Sequence, residues 1–131
     1  MIVIDTSAIV AILRKEAEAT SFVEKIVDAE RCFLSAVSFF EASIVLIGRG
    51  APDLAGELDA LVERPVIEIV PFDEGLARDS RAAFTRFGKG RHPAGLDFGD
   101  CASYALAQAR GLPLLYKGDD FAKTDVINAL R

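Results

Sequence analysis

Between Arg31 and Arg49 the chain carries one charged residue, Glu41. The stretch around it reads Cys-Phe-Leu-Ser-Ala-Val-Ser-Phe-Phe-Glu-Ala-Ser-Ile-Val-Leu-Ile-Gly, residues 32–48. A run this apolar predicts core, and the fold must then accommodate a carboxylate inside it. A carboxylate stripped of water must be protonated, paired with a cation or bound to a metal. Other carboxylates stand where a parallel sheet would gather them: Asp5, Asp97, Asp100, Asp119 and Asp120. The pattern points to an acidic, metal-dependent site.

Periodicity supplies the frame for that site. Ile2-Val3-Ile4 is a short β-branched run, the mark of a buried strand. Helices are expected over Ala8–Lys15 and Glu16–Ala29, the second with Phe22, Val23, Ile26 and Val27 at helical spacing. Arg31–Ser35 reads as a strand, Val37–Arg49 as the apolar helix carrying Glu41, and Pro52 to about Arg64 as another helix. A strand over Val66–Val70, a helix over Asp73–Phe87 and a Gly-rich loop to Gly95 follow. Asp97–Arg110 reads as a helix closed by Gly111, Pro113–Tyr116 as a strand, and Val126-Ile127 as a last short strand. Strands alternating with helices predict an α/β fold of three layers with a mostly parallel sheet of four to five strands. Functional groups in such sheets collect beyond the carboxyl ends of the strands. Asp5 and Asp119 both stand there.

Each acid also has a plain structural reading. Asp5 can cap the helix that follows, although Thr6 or Ser7 could do so and free it. Glu41 could pair with a buried cation. Asp97 and Asp100, three apart, share a helix face, and the first can cap while the second meets the helix dipole. Asp119 and Asp120 suit a turn. As a set, however, these groups converge from at least four segments. Oxygen-only donors favour Mg²⁺ or Mn²⁺. Such an ion can stabilise charge on a phosphodiester and acidify an attacking water. Lys89, Arg91 and His92 in the Gly-rich loop could meet the substrate backbone.

Composition narrows the classes. With 131 residues, 51% of them hydrophobic, the chain suits one domain over residues 1–131 that needs no disulfide. Cys32 and Cys101 lack metal-ligand spacing and read as reduced core thiols. A net charge of −5 argues against a plain nucleic-acid-binding module, but not against a nuclease whose metal offsets the acids. His92 is the lone histidine, so no Ser-His-Asp triad or zinc cluster is expected. No basic leader and no apolar run of the ~20 residues needed to span a bilayer is seen, so a cytoplasmic location is expected.

Four pieces in order resemble one family: Met-Ile-Val-Ile-Asp-Thr-Ser-Ala at the start, Ser35-Ala36-Val37-Ser38 leading to Glu41, Gly95-Leu96-Asp97-Phe98-Gly99-Asp100-Cys101 with Tyr104-Ala105, and Pro113 to Phe121 with Thr124-Asp125. The chain resembles the VapC-type toxins of the PIN-domain ribonucleases over essentially its whole length. The resemblance implies Mg²⁺- or Mn²⁺-dependent endonucleolytic cleavage of RNA, with inhibition of translation and growth. It implies that Asp5, Glu41 and Asp100 bind the metal, and that Asp119, or Asp120 in its place, is the fourth catalytic acid. Many relatives have Asn at the position of Asp97, which makes Asp97 a supporting residue. It further implies a VapB-type antitoxin that blocks the acidic pocket, hetero-oligomers with it, and a toxin homodimer. The apolar stretch near residues 37–62 could serve such contacts, or could be core. A non-enzymatic phospho-receiver is the rival reading, since Asp5, Asp73 and Lys117 each follow an expected strand. It leaves Glu41 and the Asp97–Asp100 pair unexplained. Cleavage of DNA or of another phosphate ester would keep the fold and change the substrate.

Overall fold

Three helical and strand layers follow from the alternation of the sequence. The computed structural model describes residues 1–131. Strands β1 (Ile2–Ile4), β2 (Cys32–Ser35), β3 (Ile67–Val70) and β4 (Leu114–Leu115) form one sheet in the order β3-β2-β1-β4. Every pairing is parallel, with Val3 opposite both Phe33 and Leu114. Helices α1 (Thr6–Leu13), α2 (Ala19–Asp28), α3 (Ala36–Gly48), α4 (Asp53–Val62), α5 (Glu74–Phe87) and α6 (Phe98–Arg110) supply the outer layers, and a short 3₁₀ turn covers Phe121–Lys123. This is the expected α/β/α arrangement with four strands.

Side-chain alternation divides the core in two. Ile2, Ile4, Cys32, Leu34 and Leu115 face one side of the sheet, against Ile9 of α1, Phe22 and Ile26 of α2, Leu46 of α3 and Leu58 of α4. Val3, Phe33 and Leu114 face the other, against Phe87 of α5 and Tyr104 and Leu106 of α6. Strand periodicity of two explains why neighbours in β1 enter different clusters. Both cysteines are free and buried, as expected, and burial pushes each thiol up to about 11. No helix is long and apolar enough to cross a membrane.

Three expectations are corrected. The first helix stops at Leu13, because Lys15 takes a left-handed φ of 54° and turns the chain through Glu16–Glu18 before α2. Val126-Ile127 forms no strand; that segment meets the sheet through a single bridge from Asn128 to Leu114. The apolar run is core on one side only. In α3, Ala42 and Leu46 are buried, whereas Phe40, Ile44 and Ile47 remain more than half exposed. Their i, i+4, i+7 spacing lays them along one outer stripe.

Candidate active site

The sheet order places a crevice where the strands reverse direction of progression. Successive crossovers run outward from β1 through β2 to β3, and the chain then returns to β4 on the other side of β1. Ligand sites in open parallel sheets lie beyond the carboxyl ends at such a switch point. Asp5 follows β1 there, and Lys117 stands two residues beyond β4. An open pocket of about 300 Å³ is lined by Asp5, Glu16, Glu41, Asp97 and Asp100, with Lys117 and Arg49 as its cations.

Asp5 is only 2% exposed. Its backbone continues the ladder by donating to the Leu115 carbonyl, which locks it to β4. Its side chain is the N-cap of α1. Oδ2 accepts from the Ser7 backbone N–H at 2.9 Å and from the Ser7 hydroxyl at 2.6 Å. Ser7 Oγ in turn accepts from the Lys117 backbone N–H at 2.9 Å, tying β1 and β4 together at the site. Oδ1, on the other side of the carboxylate, is buried without a hydrogen-bond partner. The capping reading and the ligand reading therefore apply to different oxygens of one residue. Burial holds the Asp5 carboxyl above its ordinary range, and the charge of Asp97 adds to this. Ser7 works in the opposite sense, as does nearby Ser103, whose own resolved bond is with Ser38 Oγ at 3.0 Å.

Asp97 and Asp100 form a reciprocal capping box at the start of α6. Asp100 N–H donates to Asp97 Oδ1 at 2.9 Å, and Asp97 N–H donates to Asp100 Oδ2 at 3.1 Å. Such a box satisfies orphan donors of the first helical turn. Burial pushes Asp100 up to about 8, and the charges of Asp5 and Asp97 push the same way. Glu41, half-buried on α3, is also raised, by burial first and then by Asp97 and Asp5, while the Thr6 hydroxyl opposes the shift. Asp5, Glu41 and Asp100 are thus raised by burial first, and each also by the charges of neighbouring acids. Lys117 does not balance them, because its ammonium pairs at the rim with Glu16 at 2.7 Å and Glu18 at 3.3 Å. All donors are hard oxygens, the chemistry of Mg²⁺ or Mn²⁺. The unpartnered Oδ1 of Asp5 is a further mark of fit. No three carboxylate, imidazole or thiol groups are close enough to hold an ion by themselves. An ion here would complete its shell with water or substrate oxygens, as Mg²⁺ commonly does.

The structure thus brings Asp5, Glu41, Asp97 and Asp100 together and leaves Asp119 and Asp120 exposed in the turn after β4, outside the pocket wall. The Gly-rich loop is more structural than expected. His92 Nδ1 accepts from the Ala94 N–H, its ring packs edge-on against Phe87, and Arg91 Nε donates to the Thr85 carbonyl. Sequence reading missed Glu16 and Arg49 as pocket residues, and it drew Lys117 only into the rival receiver reading, by the strand-end rule that also selects Asp5. Glu16 and Arg49 carry no such signal.

A sequence profile for the PIN domain matches residues 2–127. Ribonuclease VapC28 of Mycobacterium tuberculosis is 47% identical over 129 residues, covering 98% of this chain and 97% of the relative. Ribonuclease VapC of Mycolicibacterium smegmatis is 44% identical over 95% of this chain and 96% of its own. Among solved structures, the Sarcin-Ricin loop cleaving toxin VapC20 of Mycobacterium tuberculosis superposes with a TM-score of 0.81 over 97% of both chains, at 17% identity. A chain of a toxin–antitoxin complex from Klebsiella pneumoniae gives 0.72 at 16% identity, over 100% of this chain and 98% of that one. At these identities the two structures bear on the fold.

Proposed function

The chain belongs to the PIN-domain family, among the VapC ribonucleases, and we propose that it is a Mg²⁺- or Mn²⁺-dependent endoribonuclease, the toxin of a toxin–antitoxin pair. The observation that carries the metal reading is Asp5 Oδ1: a buried carboxylate oxygen with no partner, in a pocket whose other acids are Glu41, Asp97 and Asp100. Asp5, Glu41 and Asp100 are the proposed metal-binding residues, and Asp97 holds Asp100 through the capping box. When bound, the ion supplies positive charge at a phosphoryl oxygen and acidifies an attacking water.

The chain's own groups do the rest. Ser7 fixes Asp5 by engaging Oδ2 twice, so that Oδ1 is the oxygen left for the pocket. Lys117 and Arg49 at the rim offer charge to the phosphates of a bound strand, with Lys117 exchanging Glu16 for the substrate. Asp119, exposed in the turn two residues past Lys117 and outside the pocket wall, keeps only an accessory role toward the substrate. The partner proposed is a VapB-type antitoxin that covers the acidic pocket. The stripe of Phe40, Ile44 and Ile47 on α3 suits an apolar protein partner, either that antitoxin or a second copy in a homodimer.

The test is cleavage of a mixed cellular RNA pool by the purified protein, with Mg²⁺ or with EDTA, beside Asp100→Asn. Cuts that require the cation and vanish in the variant are expected, with growth arrest on expression and relief by the antitoxin. A folded wild type that binds Mg²⁺ and cuts DNA but no RNA would overturn the substrate assignment.

A further inference from the structure

We propose that Gly99 is a positioning residue for Glu41: the bare Cα of Gly99 is the seat on which the Glu41 carboxylate enters the site. This deepens the metal-dependent nuclease reading above and rests on it.

The observation is steric. A Cβ built on Gly99 would stand 2.5 Å from Glu41 Cδ and closer still to both carboxylate oxygens, inside the 3.0 Å that real Cβ atoms keep. Gly99 lies in the first turn of α6 and is buried. Its φ is not among the left-handed ones, so conformational freedom is not what the position requires. Glycine inside a helix is normally a poor choice against alanine, and a reason for it is needed. The other helical glycines show none of this kind. Gly48 and Gly56 face open space, and Gly75 would meet one Asp73 oxygen at 3.4 Å, an ordinary contact. Gly99 is thus the helical glycine whose missing methyl is occupied by a carboxylate, and that carboxylate is the one from the apolar helix.

The packing explains how α3 can deliver an acid to a site built on α1 and α6. Glu41 comes from a separate element, so no covalent constraint sets its distance from Asp5 or Asp100. It is held between the Thr6 hydroxyl and the Gly99 backbone, with Asp97 and Asp5 repelling it. Contact with Gly99 brings the carboxylate one methyl radius deeper than any other residue there would permit. The pocket it enters is also lined by Asp100, the next residue in α6. A methyl at position 99 would push the carboxylate back by about an ångström to reach ordinary contact.

The experiment uses three variants of the full chain: Gly99→Ala, Glu41→Asp and the double variant. Each is measured for Mn²⁺ affinity by electron paramagnetic resonance, for RNA cleavage, and for thermal unfolding. Gly99→Ala is expected to unfold at or above the wild-type temperature, because alanine favours the helix. Its cleavage is expected to fall about 100-fold, the scale of a 1 Å misplacement at an active site, and Mn²⁺ is expected to bind more weakly. The shorter aspartate has room for the added methyl, so Glu41→Asp is expected to cost far less in the Gly99→Ala background than alone. A Gly99→Ala protein that cuts RNA and binds Mn²⁺ as the wild type does would overturn the inference. So would penalties that simply multiply in the double variant. A wild type that neither binds Mn²⁺ nor cuts RNA would instead sink the nuclease reading, and the inference with it.

Discussion

Replacing Asp100 by Asn is expected to stabilise the cation-free protein, by an amount that grows with pH. Asp100 is raised from 3.8 to about 8 in the folded state. Below pH 3.8 folded and unfolded chains both hold the proton, and the folded state keeps its full stability. As pH rises from there to about 8, the unfolded chain releases the proton and the folded chain retains it. Each pH unit then costs up to ~1.4 kcal/mol, and the loss is complete above about 8. The whole shift would amount to roughly 5–6 kcal/mol, but Asp100 is partly open to water and shares its field with Asp5 and Asp97. Screening of this kind reduces it to an order of ~2 kcal/mol. Asparagine removes the titration yet keeps an oxygen to accept the Asp97 N–H, so the capping box survives. At this chain length ~2 kcal/mol corresponds to about 6–10 °C in Tm. Thermal unfolding in EDTA is therefore expected to show wild type and Asp100→Asn together near pH 4 and the variant higher near pH 8. Excess Mg²⁺ should reverse the order at pH 8, since only the wild type gains strongly from binding. A difference between the two proteins that is the same at every pH would refute the reasoning.

Mg²⁺ affinity of the wild type is expected to rise by up to about tenfold per pH unit below pH 8, because the ion displaces the Asp100 proton. Calorimetry in two buffers of different ionisation enthalpy would count that proton. Asp5→Asn keeps the N-cap and is expected to leave the fold intact while RNA cleavage falls about 100- to 1,000-fold, the scale of losing a principal charge-stabilising group. Asp119→Asn is expected to cost less than about tenfold in cleavage, since Asp119 is exposed outside the pocket wall. Tyr104→Phe removes the phenol that donates to Asp125, and with it one tie on the C-terminal segment. It is expected to cost about 1 kcal/mol by urea unfolding, with cleavage unchanged.

Much of this arrangement was legible from residue pattern. Ile2-Val3-Ile4 followed by Asp5 announces a buried strand with an acid at its carboxyl end. Asp97 and Asp100 announce a helix start by their spacing alone, and the capping box forms as that spacing implies. The two faces of the sheet were less legible, because a three-residue strand buried on both sides carries no alternation in its hydropathy. The break between α1 and α2 was hidden because Lys15 is an unremarkable residue forced into a left-handed φ. In α3 the apolar run concealed an exposed stripe. Hydropathy cannot separate a core face from a face awaiting a partner when both are Phe and Ile. Long-range contacts lay furthest from view: the Lys117 N–H bond to Ser7 spans 110 positions, and the seat of Glu41 on Gly99 depends on how α3 crosses α6.

The most direct measurement is crystallographic: anomalous diffraction from crystals grown with Mn²⁺. A peak is expected about 2.0–2.2 Å from Asp5 Oδ1, the scale of hard-cation oxygen bonds, within reach of Asp100 and Glu41. Ordered density for the three carboxylates with no peak among them, or a peak on other residues alone, would contradict the assignment of this pocket as the metal centre.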